Sequence, residues 1–224
     1  MIRAVIFDFD GLILDTEAPI FQSWQEIYQA HGGHLTIEEW STIIGGNDFA
    51  FNPLERLQAQ VNRPLDRQAL AEQQRLRESD LISRQPVMPG VADYLQDARR
   101  LGLKVGLASS SPCDWVTRHL SRLGLIQYFD CILASDDVRR TKPDPELYLT
   151  VLAALDVSPR QAFALEDSPN GIRSARQAGL FCVAVPNQLT LQMDTTHADL
   201  HLGAMTDLPL EVLIEQIERL QSAV

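Results

Sequence analysis

Residues 4–11 read Ala-Val-Ile-Phe-Asp-Phe-Asp-Gly, an apolar run that stops at two acids and a glycine. Short apolar runs without alternation are typical of strands that are covered on both faces of a parallel sheet. We therefore expect a strand over residues 4–9. Because side chains alternate along an extended chain, Asp8 and Asp10 should point to the same side, and Gly11 allows a sharp turn directly after them.

Further runs of this kind recur along the chain, and helix-like stretches separate them. The runs are residues 104–108, 130–134, 162–165 and 181–185, with a weaker candidate at 198–202. Helical periodicity covers residues 91–101, 114–123, 145–155 and 170–178, and Gly102, Gly124 and Gly179 fall where helices would end. The alternation predicts an α/β fold with a doubly wound parallel sheet, which is a Rossmann-like core.

The region from residue 17 to residue 87 breaks this alternation, because it contains no strand-like run. Helical patterns cover residues 18–31, 36–44, 49–60 and 66–83, and glycines and prolines separate them. We interpret the region as an α-helical cap domain inserted after the first strand. The expected domains are a core of residues 1–16 and 88–224 and a cap of residues 17–87.

The composition of the chain disfavours several classes of protein. Of its 224 residues, 45% are hydrophobic and 22% are charged, as in an ordinary globular protein. The 19 basic and 30 acidic residues give a net charge of −11, so we expect binding neither to nucleic acid nor to a membrane surface. The three cysteines form no metal-site or disulfide pattern, and an acid at position 8 comes too early for a signal peptide. We therefore expect a cytoplasmic protein, a monomer with a dimer as the alternative.

Polar side chains follow the predicted strands at their carboxyl ends, where open parallel sheets bind ligands. They are Asp8 and Asp10 at the end of the first strand, Ser109, Ser110 and Ser111 after the second, Lys142 after the third, and Glu166 and Asp167 after the fourth. Crowded carboxylates raise one another's pKa values unless a cation compensates them. A divalent metal is the simplest remedy, and hard oxygen ligands favour Mg²⁺.

These motifs resemble those of the haloacid dehalogenase-like hydrolases, a superfamily in which most members are Mg²⁺-dependent phosphatases. The resemblance is carried by Asp8-Phe9-Asp10-Gly11, Leu107-Ala108-Ser109-Ser110-Ser111, Thr141-Lys142-Pro143-Asp144-Pro145 and Leu165-Glu166-Asp167-Ser168-Pro169-Asn170-Gly171. The inserted region resembles the cap of the branch that contains β-phosphoglucomutase and many phosphatases of small molecules. The resemblance implies a phosphatase that acts on a small phosphorylated metabolite, with sugar phosphates as the first expectation.

The resemblance also implies a role for each motif residue. Asp8 would be the nucleophile that forms an aspartyl-phosphate, and Asp10 would protonate the leaving alcohol and then deprotonate water. Ser109, the backbone N–H of Ser110 and Lys142 would bind the phosphoryl oxygens. The implied Mg²⁺ ligands are the Asp8 carboxylate, the Asp10 carbonyl and Asp167, with Glu166 acting through bound water.

Two of the motifs, taken singly, also have interpretations that involve no catalysis. The three serines could cap the helix that follows, and we expect Ser111 to do so before Pro112, which leaves Ser109 as the better phosphate ligand. Glu166 and Asp167 could be acids that the dipole of the next helix favours. The whole chain could also be a catalytically idle interaction protein, but this interpretation is disfavoured because all four motifs are intact.

A mutase is the alternative to a phosphatase, but two departures from the β-phosphoglucomutase pattern weaken the case for mutase activity. That enzyme carries an arginine shortly after its cap glycines, whereas Gly45-Gly46 is followed here by Asn47-Asp48-Phe49, with no cation before Arg56. The asparagine that the mutase places after its second-motif serines is replaced by Pro112-Cys113. A phosphatase is therefore the favoured interpretation.

Overall fold

The computed structural model describes residues 1–41 and 52–222. Its strands are β1 Ala4–Phe7, β2 Lys104–Ala108, β3 Cys131–Leu133, β4 Ala162–Glu166, β5 Phe181–Ala184 and β6 Leu200–His201. Its helices are α1 Glu17–Ala30, α2 Ile37–Ser41, α3 Pro53–Gln60, α4 Arg67–Ser83, α5 Val91–Arg100, α6 Cys113–Arg122, α7 Glu146–Ala154, α8 Pro169–Gln177 and α9 Leu210–Ser222. The strands form one sheet in the order β3-β2-β1-β4-β5-β6, with every neighbouring pair parallel. This arrangement confirms the predicted doubly wound α/β fold.

The central position of β1 determines which strand ends meet. Its neighbours are β2 and β4, and all of its residues are buried. The register places Phe7 opposite Leu107 of β2 and opposite Leu165 of β4. The carboxyl ends of these three strands are therefore level. Asp8, which follows β1, and Glu166, which ends β4, lie side by side at one edge of the sheet.

The first strand ends at Phe7, earlier than the sequence predicts. The Asp8 N–H still donates to the Leu165 carbonyl at 3.0 Å, but the Phe9 carbonyl accepts the N–H of Ile13 at 2.9 Å. The chain has thus turned by Phe9. Asp10 lies at the start of this turn, where it forms an isolated bridge with Leu14, so the alternation expected of a strand does not determine where its side chain points.

Helix α7 packs closely over one face of the sheet. Position 106 must be glycine for this approach, because a Cβ there would lie 2.6 Å from Val151 Cγ1. Tyr148 of α7 belongs to the same buried cluster as Ile6 and Ala164. The close packing brings the Tyr148 side chain to the ends of the central strands.

The chain divides into two compact units, one of Met1–Leu14 with the chain from Pro86 onward and one of Asp15–Gln85. The predicted boundaries, after residues 16 and 87, fall slightly further along the chain. Within the described ranges, no helix has both the length and the apolar character that crossing a membrane requires.

The second unit is helical in its described part. Gln74 of α4 donates to the Ser23 hydroxyl of α1 at 3.1 Å, and Arg77 forms an ion pair with Glu26 at 2.7 Å. Helix α2 covers the first part of the predicted helix 36–44, and α3 covers the second part of the predicted helix 49–60. Residues 42–51, which include Gly45-Gly46 and Asn47-Asp48-Phe49, lie outside the described residues.

Helix α9 is an element that the sequence analysis does not predict. It buries Leu210, Leu213 and Ile217 and packs against α5. The Tyr94 hydroxyl of α5 donates to the Leu208 carbonyl at 2.9 Å, just before α9 begins. The spacing of the buried residues, three and then four positions, is the helical signal that the sequence offered.

Candidate active site

Three acidic side chains meet at the carboxyl ends of β1 and β4. Asp8 follows β1, Glu166 is the last residue of β4, and Asp167 comes next. Each offers one carboxylate oxygen, these atoms lie within 4.8 Å of one another, and all three residues are buried. Hard oxygen donors at this spacing suit a divalent cation. The donor set therefore fits a metal ion at this edge of the sheet.

Lys142 is the cation that the chain itself brings to this cluster. It lies between β3 and α7, and its Nζ forms ion pairs with Asp8 Oδ1 and, at 2.7 Å, with Glu166 Oε1. The Lys142 side chain is 6% exposed, and Nζ lies 5.2 Å from the centroid of the Tyr148 ring. Because the cluster holds three carboxylates and one ammonium, its ionised form carries an excess of negative charge.

The pKa values of Asp8 and Lys142 reflect this crowding. The pKa of Asp8 is raised to about 7, first by burial and then by the charge of Glu166, against the opposing effect of Lys142. Burial by itself lowers the pKa of Lys142, but the charges of Asp8 and Glu166 outweigh burial and raise that pKa above its usual range. Lys142 is thus an ammonium at neutral pH. A second cation at the cluster would favour the ionised form of Asp8.

Glu166 is fully buried and anchors Lys142. Its Oε1 accepts from Lys142 Nζ at 2.7 Å and from the Tyr148 hydroxyl at 2.6 Å. Gly171 of α8 lies against the same carboxylate, where a Cβ would come within 1.9 Å of Glu166 Oε2. Two donors on one oxygen, together with this close packing, fix the carboxylate and hence the position of the ammonium. The sequence analysis does not select Tyr148, whose contact depends on how α7 packs.

Asp167 is oriented by Asn187, another residue that the sequence analysis does not select. Asn187 Nδ2 donates to Asp167 Oδ2 at 2.9 Å and to the Gly11 carbonyl at 3.2 Å. Its Oδ1 accepts the N–H groups of Leu189 at 2.9 Å and Thr190 at 3.0 Å. Gly11 has φ +84°, and a Cβ there would lie 2.2 Å from Asp167 Oδ2. Asn187 follows β5 at the carboxyl ends of the strands, and this position is the signal by which the sequence could have identified it as a site residue.

Asp10 has different surroundings from Asp8. Its Oδ2 accepts from the Ser111 hydroxyl at 2.6 Å and, weakly, from the Ser109 hydroxyl at 3.4 Å. Its Oδ1 accepts from Trp115 Nε1 at 3.0 Å. These donors are all neutral. The two aspartates of the first motif therefore belong to two separate hydrogen-bond sets, one charged and one neutral.

The expectation that Ser111 caps the following helix is wrong. Helix α6 begins at Cys113 behind Pro112, and no side-chain hydrogen bond caps it at that position. The Cys113 N–H donates instead to Asp136 Oδ2 at 2.6 Å, so this first-turn amide is already satisfied. The Ser111 hydroxyl is thereby available to Asp10.

The remaining predicted site residues lie beside these two sets. Ser109 is buried after β2, and its Oγ accepts the Ser111 N–H at 3.0 Å. Ser110 is exposed. The structure thus brings Asp8, Lys142, Glu166 and Asp167 into one cluster, and Ser109 lies next to Asp10.

A family model described as "Haloacid dehalogenase-like hydrolase" matches residues 5–185. The chain belongs to this family. Phosphatases of the family generally use a divalent metal, and the carboxylate cluster of this hydrolase provides suitable ligands for one.

Relatives of this hydrolase cover nearly its whole length. It is 42% identical over 217 residues to "Putative phosphatase YhcW" of Bacillus subtilis (strain 168), covering 97% of this chain and 98% of that protein. It is 32% identical over 180 residues to "Phosphorylated carbohydrates phosphatase" of Thermotoga maritima, covering 80% of this chain and 82% of that protein. The crystal structure of a "putative beta-phosphoglucomutase from Thermotoga maritima" has a TM-score of 0.77 at 28% identity, covering 96% of this chain and 99% of that chain.

The contact between Asn187 and Asp167 predicts a loss of metal affinity when the amide is removed. We expect Asn187→Ala to weaken divalent-metal binding about 10- to 100-fold, because Asp167 loses the donor that orients it. Calorimetric titration of the metal-free protein with Mn²⁺ measures the affinity, and thermal unfolding checks that the variant folds. Gln188→Ala removes an exposed amide at the next position and should bind Mn²⁺ as the wild type does. Unchanged affinity in Asn187→Ala would contradict the hypothesis that Asp167 is a metal ligand oriented by Asn187.

Proposed function

We propose that this hydrolase is a Mg²⁺-dependent phosphatase that converts a small phosphomonoester, by preference a sugar phosphate, to an alcohol and inorganic phosphate. The observation that carries the proposal is the environment of Asp8. Its buried carboxylate is paired with Lys142 inside a cluster of metal-type ligands. A second acid, Asp10, follows two residues later and is held by neutral donors.

The first step of the proposed reaction transfers the phosphoryl group to the protein. An Asp8 carboxylate oxygen attacks phosphorus, and the bond between phosphorus and the ester oxygen breaks. Asp10 gives its proton to the departing oxygen, so the products are an aspartyl-phosphate and a neutral alcohol. Lys142 stabilises the negative charge of the phosphoryl oxygens, while its contact with Glu166 keeps it in position.

The second step releases phosphate. Asp10, now ionised, accepts a proton from a water molecule as the water oxygen attacks phosphorus. The bond between phosphorus and the Asp8 oxygen breaks, which restores the Asp8 carboxylate and the protonated Asp10. The neutral surroundings of Asp10 support this exchange of roles, because its described hydrogen bonds tie it to no fixed positive charge.

Phosphoryl binding is assigned to Ser109, the backbone N–H of Ser110 and Lys142. Ser109 and Ser110 follow β2, whose carboxyl end is level with that of β1 and hence with Asp8. Backbone and side-chain donors held by the ends of two neighbouring strands provide the fixed dipoles that phosphoryl transfer requires.

The residues proposed to hold Mg²⁺ are the Asp8 carboxylate, the Asp10 backbone carbonyl and Asp167, with Glu166 acting through water. When bound, the ion would neutralise phosphoryl charge and help to orient the ester. The excess of carboxylates over ammonium groups in the cluster supports a divalent cation, and the all-oxygen donor set supports Mg²⁺.

The substrate class is proposed from a relative and from the second unit. The Thermotoga maritima relative is named for phosphorylated carbohydrates, and we assign the same class to this hydrolase. The helical unit of residues 15–85 is proposed to act as a cap that admits only small metabolites to the site. Nucleotides and other small organic phosphates are the next candidates after sugar phosphates. A cytoplasmic location and a monomeric state, with a dimer as the alternative, stay predictions.

A mutase of the β-phosphoglucomutase type is the second candidate, because a solved relative carries that name. It is less favoured, since the first cation after the cap glycines is Arg56, whose guanidinium forms an ion pair with Glu39. Arg56 would have to leave that pair to bind the second phosphate that a mutase must hold.

Replacing the nucleophile tests the proposed reaction. We expect Asp8→Asn to reduce Mg²⁺-dependent hydrolysis of p-nitrophenyl phosphate by at least about three orders of magnitude, because the amide cannot replace the attacking carboxylate. Phosphate release is measured in parallel on sugar phosphates, nucleotides and a phosphopeptide. Undiminished turnover by Asp8→Asn would overturn the mechanism, and preferred turnover of the phosphopeptide would overturn the substrate class. If the wild type hydrolyses nothing on this panel but binds a protein partner tightly, the interaction-protein alternative is favoured.

The chain contains two lysines, which provide a matched pair of variants. Lys142→Ala should lose about two to three orders of magnitude in kcat/KM, or roughly 3–4 kcal/mol, because the phosphoryl group loses its compact cation. Lys104 begins β2 and so lies at the amino ends of the strands, away from the site, where its Nζ donates to the Leu155 carbonyl. Lys104→Ala should therefore stay active. Steady-state kinetics on p-nitrophenyl phosphate measures both variants. Similar losses in the two would show that the site lies elsewhere.

A further inference from the structure

We propose that Trp115 is a positioning residue that, with Ser111, orients the carboxyl group of Asp10 for proton transfer, an inference that rests on the proposed function. Trp115 lies in the first turn of α6 and belongs to none of the motifs singled out in the sequence. Its indole reaches Asp10 across more than a hundred positions of sequence, so the contact is a product of the fold.

The two oxygens of Asp10 are bound by donors of different chemistry. Oδ1 accepts from Trp115 Nε1 at 3.0 Å, and Oδ2 accepts from the Ser111 hydroxyl at 2.6 Å. An indole N–H can donate but cannot accept a proton, whereas a hydroxyl can do both. Oδ1 therefore stays an acceptor whether Asp10 is ionised or protonated. The transferable proton is assigned to Oδ2, where the Ser111 hydroxyl can rotate to accept it.

Trp115 is itself held in place by its own helix. Its ring packs edge-on against His119, one turn further along α6, with the ring centroids 4.4 Å apart and an interplanar angle of 64°. His119 is buried. A side chain that is packed on one side and hydrogen-bonded on the other has few alternative rotamers. It therefore fixes the direction of the carboxyl plane rather than merely contacting it.

This role predicts a dependence on the leaving group. An alkoxide needs a proton as it departs, whereas p-nitrophenolate leaves readily without one. Loss of the orientation of Asp10 should therefore slow the cleavage of an alkyl ester more than that of an aryl ester. A purely structural role for Trp115 would slow both esters by the same factor.

The test compares p-nitrobenzyl phosphate with p-nitrophenyl phosphate, two esters of similar shape, by phosphate release under kcat/KM conditions. For Trp115→Phe, which keeps a ring against His119 but removes the N–H, we expect a loss of about ten- to thirtyfold on the benzyl ester and less than about threefold on the phenyl ester. Asp10→Asn should show the same selectivity with a larger loss. Trp24→Phe makes the same chemical change in α1 and should leave the ratio of the two rates unchanged.

Ser111→Ala, which removes the shorter of the two hydrogen bonds to Oδ2, should shift the ratio in the same direction. It provides the test if thermal unfolding shows that Trp115→Phe does not fold. Equal losses on both esters, or no loss on either, in an active protein would overturn the positioning role and leave the proposed function standing. A wild type that hydrolyses neither ester overturns both proposals. A selective loss in Trp115→Phe without one in Asp10→Asn would show that the acid is a different residue.

Discussion

The ion pairs of Lys142 with Asp8 and Glu166 are the interaction on which the rest of the site depends. Buried carboxylates in contact are costly unless a cation and hydrogen bonds compensate them. The three partners come from the end of β1, the end of β4 and the segment between β3 and α7. They meet because β1 is central and its register with β4 makes the two carboxyl ends level. The candidate active site is thus a consequence of strand order and register as much as of residue type.

Asp8 and Asp10 are only two residues apart, but the residues around them give them different properties. Asp8 is buried, which raises its pKa to about 7, but Lys142 opposes this shift and a divalent cation at the cluster would favour the ionised form that a nucleophile needs. Asp10 lies on the turn that follows β1 and is bound by hydroxyl and indole groups. Placing two carboxyl groups in contrasting environments is a general way to obtain a nucleophile and a proton donor from the same residue type. Gly11 makes this arrangement possible, since a side chain there would collide with Asp167.

Local patterns in the sequence predict the sheet and the residues at its strand ends, since both follow from short apolar runs and the acids, serines and lysine after them. They do not predict contacts that depend on how helices pack. Tyr148 reaches Glu166 because α7 lies close over Gly106, and Asn187 reaches Asp167 because the chain turns after β5. The expectation for Ser111 fails for the same reason, since a distant carboxylate satisfies the first amide of α6.

The covalent intermediate is the most direct test of this account. Wild-type, Asp8→Asn and Asp10→Asn proteins are mixed with p-nitrophenyl phosphate and Mg²⁺, quenched in acid and reduced with borohydride, which converts an aspartyl-phosphate to homoserine. Peptide mass spectrometry should find homoserine at position 8, in greater amount for Asp10→Asn because release of phosphate is slowed, and none in Asp8→Asn. Homoserine at another aspartate, or a burst of p-nitrophenol from Asp10→Asn with position 8 unmodified, would contradict the account.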